Sequence, residues 1–569
     1  MVKLTASIVS RVDRSNSGSG HVRKPRPTVE HIQCQLLSIP APYKTRPRGP
    51  VTKLISIAGR RISGSRIPLL RLVKKSATAS DNFPPAKIPM KLPTIPDMKQ
   101  RPDCHASKPY ADEKADAKGS PGYEQARIGR VFNHRRPDRY PIAVVEATRE
   151  QHIVDTVRLA IEKKCRVSVR SGGHSWAAWS VRDEAILLDL GNYKELYYDA
   201  ATEVVRCSPS TVGRDLNGYL ETYGRLFVGG HCPDVGVGGF LLQGGMGWNC
   251  KNWGWACEKV NAIDVVTADG QELHCDANQN SELLWAARGA GPGFPAIVTR
   301  FYLETRPLPK VMMTSGYIYP VSEYRKAMGW ITGIAGTYDA DTEVVAVASY
   351  KPGGDEITIL CLFTTFKNTE EQAKWALQEA ESTHPSGTIE KWQFKPTSLK
   401  SEYEDQARAN PAGHRYCADN AYIRNDADVV SVLEKAFTTL AHKKAFSLWY
   451  SMAPVSRRKL PDMALSMQSD HYFASYTIWE DEKDDRGCQQ WVRDIFDKVE
   501  RHSEGAYLGD ADFQVRRTRF WGQEQGKKLI AIRKQWDSEG RVCGYLDAGD
   551  KSRAEGLPNE HEWLVGPKI

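Results

Sequence analysis

The chain of 569 residues predicts an α+β fold, and three observations carry that prediction. Strand-like and helix-like segments fall into separate stretches after about Pro307 rather than alternating strictly. Glycine concentrates in three clusters, each beside a strand-like segment. The first 120 residues differ in texture from everything that follows. With 41% hydrophobic and 26% charged residues the chain can bury a sizeable core and divide into several domains. A mean hydropathy of −0.50 and the lack of any apolar run of about eighteen residues exclude a membrane-spanning helix.

Residues 1–120 hold 23 Lys+Arg against 8 Asp+Glu, leaving 55 against 61 for the remainder, so the segment carries +15 and the rest −6 of the formal charge of +9. It carries 14 of the 32 prolines and none of the 15 tryptophans, and reads as a disordered, basic, proline-rich arm. Its basic residues alternate with prolines rather than aromatics, which favours a solvated arm over one that binds nucleic acid. No apolar core precedes a small-residue cleavage site, so no secretory signal is read and an intracellular setting is favoured. The twelve cysteines include no C-x-x-C pair, which argues against a zinc ribbon or a disulfide scaffold.

The elements follow in order. Ile142 to Val145 is an apolar strand. Thr148 with Gln151 has capping-box spacing, and Ile153, Val157, Ala160 and Ile161 form one helical face. Arg166 to Arg170 alternates as a strand and stops at Gly172-Gly173. Further strands are Glu184 to Leu190, Glu203 to Cys207 and a hairpin turning at Asp269-Gly270, followed by a helix from Ser281 and the strand "AIVTRFYLET". Beyond Pro307 come strands Glu343 to Tyr350, Glu356 to Phe366, Phe446 to Met452 and His471 to Trp479. Helices are expected at Thr369 to Glu381, Val429 to Leu440 and Cys488 to Val499, and a last helix precedes a turn at Ser538 to Gly540.

The chemistry sits in the glycine clusters. In Arg170-Ser171-Gly172-Gly173-His174-Ser175, two glycines after a strand let backbone N–H groups approach an anion, with Arg170 and the serines as further donors. In "GGHCPDVGVGGFLLQGGMGWNC", eight glycines fall within nineteen positions among large apolar residues. Such density costs conformational entropy and suits a flat, extended ligand such as a dinucleotide. The third cluster, Gly289-x-Gly291-x-Gly293, leads into a strand rather than a helix, so it is not the nicotinamide fingerprint.

In this order the clusters resemble the flavin-linked oxidases of the vanillyl-alcohol oxidase and p-cresol methylhydroxylase superfamily, most of all the berberine bridge enzyme-like and glucooligosaccharide oxidase-like branch. The resemblance rests on R-S-G-G-H, C-P-x-V-G-x-G-G, the following G-G-x-G and V-x-A-D-G, and runs from about Pro137 to Pro307 and again near Gly505 to Asp547. It implies a two-part FAD-binding domain of the p-cresol methylhydroxylase type, residues 121–308 and 505–569, with an inserted α+β substrate domain, 309–504.

It further implies FAD joined through His174 and, in the bicovalent branch, also through Cys232. The backbone of Ser171 to Ser175, Gly236, Gly238, Gly239, Gly244, Gly245 and Gly247 would line the cofactor. Val265 or Val266 and Ile297 or Val298 would meet its adenine end. Val235, three positions after the tethering cysteine, would lie where dioxygen approaches. Departures are Gln243 in place of a glycine, and "AYLGDAD", where Tyr507 matches the family's first tyrosine while Asp510 replaces a second one that often takes part in proton abstraction.

The resemblance therefore implies an oxidase that moves a hydride from a hydroxyl- or amine-bearing small molecule to FAD and reduces dioxygen to hydrogen peroxide, in a secondary-metabolic role. Asp510, with Tyr507 behind it, is the expected base. The alternatives are a dehydrogenase with a non-oxygen acceptor and a flavin-binding protein without turnover. No membrane partner and no metal are expected.

Overall fold

The computed structural model describes residues 115–544, apart from 514 and 517. Most of the expected arm lies outside the described residues, but the boundary at 120 needs correction. Ala115–Ala117 is an edge strand paired with residues 143–145, and the Lys118 N–H donates to the Ile142 carbonyl at 3.1 Å. Basic, proline-rich composition masks three residues whose backbone completes a sheet.

Two sheets come from the segment before Pro307. The first has four strands in the order Ala115–Ala117, Ala143–Glu146, Ala185–Asp189, Arg166–Arg170, the last three of them parallel. The second has five antiparallel strands ordered Leu196–Asp199, Val204–Cys207, Ala296–Glu304, Val260–Thr267, Glu272–Cys275. The helix Glu150–Glu162 packs Ile153, Val157 and Ala160 on the parallel sheet as expected. Its start differs. Arg149 is the N-cap with no side-chain capping bond, and the Thr148 N–H donates instead to His152 Nδ1 at 3.2 Å, so no capping box forms. Ile161 is 39% exposed, one step off the buried stripe.

An eight-stranded sheet follows, with its strands ordered Glu390–Thr397, Val311–Pro320, Ile357–Lys367, Thr342–Tyr350, Phe446–Ser451, His471–Trp479, Arg415–Ile423 and Ser503–Gly505. Alternation along each strand sorts its side chains between two faces. Val344, Ala346, Ile359, Phe363, Cys417, Trp449, Phe473 and Trp479 meet the helices Tyr324–Ala335, Glu370–Thr383, Val429–Thr438 and Asp485–Val499 on one face. Thr369 caps the second of these by accepting from the Gln372 N–H at 3.2 Å. The opposite face, with Val345, Leu448, Tyr450, Tyr472 and Tyr476, packs toward the glycine-rich segments. The last helix, Gln523–Trp536, ends before a return to the first sheet, where Cys543 N–H reaches the Val167 carbonyl at 2.9 Å.

Candidate active site

Two glycine loops meet back to back. A Cβ on Gly172 would lie 2.5 Å from the Gly236 nitrogen, and a Cβ on Gly236 would lie 2.7 Å from the Gly172 nitrogen. Gly173 has φ +77°, and a Cβ there would meet the Arg130 carbonyl oxygen at 1.8 Å. Gly238 packs on Pro209 and Ser171, whereas Gly239 looks into open space. The N–H groups of Gly172, Gly173, His174 and Ser175 have no protein acceptor among the described residues. Successive unpaired N–H groups on a cavity wall form a cradle for an anion such as a pyrophosphate.

Arg170 corrects the sequence expectation. It is only 2% exposed, and its guanidinium binds Asp189 Oδ2 through Nε at 3.0 Å and Nη2 at 2.6 Å, with Nη1 on the Arg127 carbonyl at 2.6 Å. Its guanidinium donors are spent on holding the strand end and orient the loop, while the residue itself lies on the cavity wall. Asp189 also takes Arg130, whose Nη2 donates to the Ser171 carbonyl at 2.6 Å.

These loops open onto a cavity of about 1010 Å³ lined by residues 170–175, Cys232, Val235, Gly236, Gly238, Gly239, Ile297, Val298, Tyr507 and Asp510. Gly244, Gly245, Gly247, Val265 and Val266 are not on its surface. Val265 and Val266 pair with Val298 and Ile297 on the neighbouring strand. Gly247 packs against the Val228 and Gly229 carbonyls, while the N–H groups of Gly245 and Met246 donate to Tyr507 Oη at 3.2 and 3.1 Å. That glycine run supports the wall from behind.

His174 stacks on Phe132 with ring centroids 4.4 Å apart. Burial first, then Arg130, pushes its pKa down to about 4, so the imidazole is neutral and keeps a nucleophilic lone pair at ordinary pH. The Cys232 thiol goes the other way. Burial, then the charges of Asp510 and Asp234, raise it to about 12.

The sheet supplies the facing wall. Ile318, Val345, Val347, Leu360, Leu362 and Leu448 make it apolar. Two polar clusters interrupt it. Asp510 Oδ2 accepts from Tyr472 Oη at 2.6 Å, and Tyr476 and Trp176 lie near enough to favour its charged form. Burial raises the Asp510 pKa against these donors. The second cluster escapes sequence reasoning. Glu343 Oε1 accepts from Tyr450 Oη at 2.6 Å, from His231 Nε2 at 3.1 Å and from the Asn249 N–H. Only its place as a charged residue opening an otherwise aliphatic strand hinted at it.

The fold and this wall define a flavin-dependent oxidoreductase. Residues 141–276 match the family model described as an FAD binding domain. The chain is 38% identical over 436 residues to the FAD-linked oxidoreductase penO of Penicillium crustosum, across 76% of this chain and 97% of penO. Its fold is similar to the carbohydrate oxidase of Microdochium nivale (TM-score 0.64, 22% identity, 75% of this chain and 95% of that one). It is also similar to BBE-like 1 of Physcomitrella patens (TM-score 0.65, 17% identity, 79% and 97%). The chain belongs to the FAD-linked oxidoreductases, as the glycine clusters imply. The residues present fit FAD: the unpaired N–H groups suit its pyrophosphate, and the apolar stretch around Ile297 and Val298 suits a flat ring.

Proposed function

We propose that the protein is an oxidase that removes two electrons from a C–H bond beside a hydroxyl or amine of a largely apolar small molecule, with dioxygen reduced to hydrogen peroxide. The observation that carries this reading is one cavity with His174 and Cys232 on its glycine-loop wall and the Asp510 and His231 acid–base groups on the same surface. Bound FAD supplies the two-electron acceptor. In this reading residues 172–175 and 236–239 hold it, and His174 and Cys232, both on the cavity wall, are its two tethers.

The aliphatic side chains of the facing sheet exclude water and bind by apolar contact, which suits a lipophilic skeleton better than a sugar. The proton released from the substrate hydroxyl goes to a group on this wall. Asp510, the base expected from the sequence, lies there with Tyr507 behind it. The test is the visible spectrum of the purified protein, followed by a panel of benzylic, allylic and terpenoid alcohols and amines scored for peroxide. A protein that stays colourless when supplied with FAD, or a yellow one that yields peroxide only with sugars, would defeat the reading.

A further inference from the structure

Two polar clusters compete for one proton, and their hydrogen bonding differs. The Asp510 carboxylate already receives a hydrogen bond from Tyr472 Oη at 2.6 Å, with Tyr476 and Trp176 beside it. That donor stabilises the charged form and occupies a lone pair that an incoming proton would need. Asp510 is thus arranged to hold Tyr472 in the wall.

His231 is arranged differently. A carboxylate only accepts, so the 3.1 Å contact with Glu343 Oε1 places the ring hydrogen on Nε2. Glu343 is 3% exposed and is itself fixed by Tyr450 and the Asn249 N–H, so the imidazole is anchored to a rigid strand. Trp248 packs on the ring with centroids 4.3 Å apart, and Tyr450 meets it edge-on at 6.0 Å. The other nitrogen, Nδ1, has no protein partner among the described residues, and the side chain, 21% exposed, lies on the cavity surface. The ionisable groups around the ring are Glu343 and Tyr450 on the sheet, Asp510 on the C-terminal loop and Cys232 next in sequence.

Resting on the oxidase reading, we propose that His231, oriented by Glu343, is the group that takes the substrate's proton. The O–H bond of the substrate breaks as an N–H bond forms at Nδ1, and FAD, held by residues 172–175 and 236–239, would supply the acceptor for the hydrogen that leaves the adjoining carbon with its electron pair. Glu343 is a positioning residue that fixes the tautomer and balances the imidazolium charge. Asp510 stays an anchor.

The test needs neither turnover nor oxygen, so its failure is separate from failure of the oxidase reading. 4-Nitrophenol, an acidic hydroxyl whose ionised form absorbs visible light, is titrated into the flavin-loaded enzyme one pH unit below its own pKa in water. Wild-type enzyme should bind it as phenolate and D510N should do the same. H231Q should bind it as the neutral phenol, and E343Q should lower the phenolate-to-phenol ratio about tenfold, the equivalent of one pKa unit. Phenolate kept in H231Q but lost in D510N would overturn the proposal and return the role to Asp510. Independently of any ligand, ¹⁵N spectra of histidine-labelled enzyme should show His231 protonated on Nε2 and bare on Nδ1, and the opposite tautomer would also overturn it.

Discussion

Gly172 and Gly236 touch backbone to backbone, so each loop of the cavity wall is shaped by the missing side chain of the other. The Gly172 position admits no give, because the nearest atoms at 2.5 and 2.9 Å are main chain. Gly172→Ala should therefore push the His174 loop away from the Cys232 loop. We expect a folded protein with a cooperative thermal transition and at least about a tenfold loss of flavin loading, since overpacking costs roughly 1–3 kcal/mol and must be relieved at the cradle. Gly239→Ala, which faces open space, is the control for backbone entropy but adds a methyl to the cavity. Full flavin content in Gly172→Ala would show that the two loops are not coupled.

The opposite pKa shifts of His174 and Cys232 would separate the two proposed tethers in pH. An imidazole lowered to about 4 is neutral throughout the range from pH 6 to 9, so the His174 bond should form at a rate independent of pH there. A thiol raised to about 12 supplies thiolate in a fraction that grows about tenfold per pH unit over that range, and the Cys232 bond should accelerate accordingly. Apoprotein from riboflavin-starved cells, carrying either Cys232→Ala or His174→Ala, isolates each bond. Acid precipitation after timed addition of FAD reads it. Equal pH dependence of both variants would contradict the assignment, and flavin retained in the double variant would remove both tethers.

Asp189 is the counterion of Arg170 at the end of the strand that carries the first loop, with both side chains almost wholly buried. Asp189→Asn leaves a buried guanidinium without its partner, which typically costs about 3–5 kcal/mol. The melting temperature should drop by several degrees and flavin loading should fall with it. The paired change Arg170→Met with Asp189→Leu removes both charges and should recover part of the stability. A single variant as stable as the wild type would mean that Arg130 alone satisfies this corner.

Much of this was legible because backbone demands write themselves into sequence. Gly172, Gly173 and Gly236 are required by contacts under 3 Å, and such requirements admit one residue type, so the loops could be placed before any coordinates. Strands rich in aromatic and β-branched residues, such as His471–Trp479, were legible from composition even though both faces are buried. Edge elements were not. Glu390–Thr397 is a strand of mostly polar residues, and Ala115–Ala117 is too short for any period to show. Arg170 was misread because a guanidinium after a strand looks the same whether it faces a ligand or an internal aspartate. His231 and Glu343 lie 112 residues apart, and their pairing comes from a glycine-rich loop packing against the sheet, which no local pattern encodes.

The choice between oxidase and dehydrogenase turns on Val235. Its side chain lies on the cavity surface in the loop between Cys232 and Gly236, and its carbonyl is pinned by the Gly213 N–H at 3.2 Å, so the residue cannot retreat easily. Close-packed surroundings relax only partly around added volume, and one more methylene at such a position costs about 1–3 kcal/mol when something must share the space. Dioxygen is small enough to be stopped by that change, whereas the proposed substrate would lie against the facing sheet. With each 1.4 kcal/mol in a barrier worth about a factor of ten, Val235→Leu should slow reoxidation of the reduced enzyme by air about ten- to a hundredfold. Anaerobic photoreduction of the bound flavin, which needs no oxygen path, should be unchanged. Stopped-flow mixing of photoreduced enzyme with aerated buffer measures the step directly in both proteins, with peroxide counted against flavin. Slow reoxidation already in the wild type, beside fast electron transfer to an artificial acceptor, would make the protein a dehydrogenase.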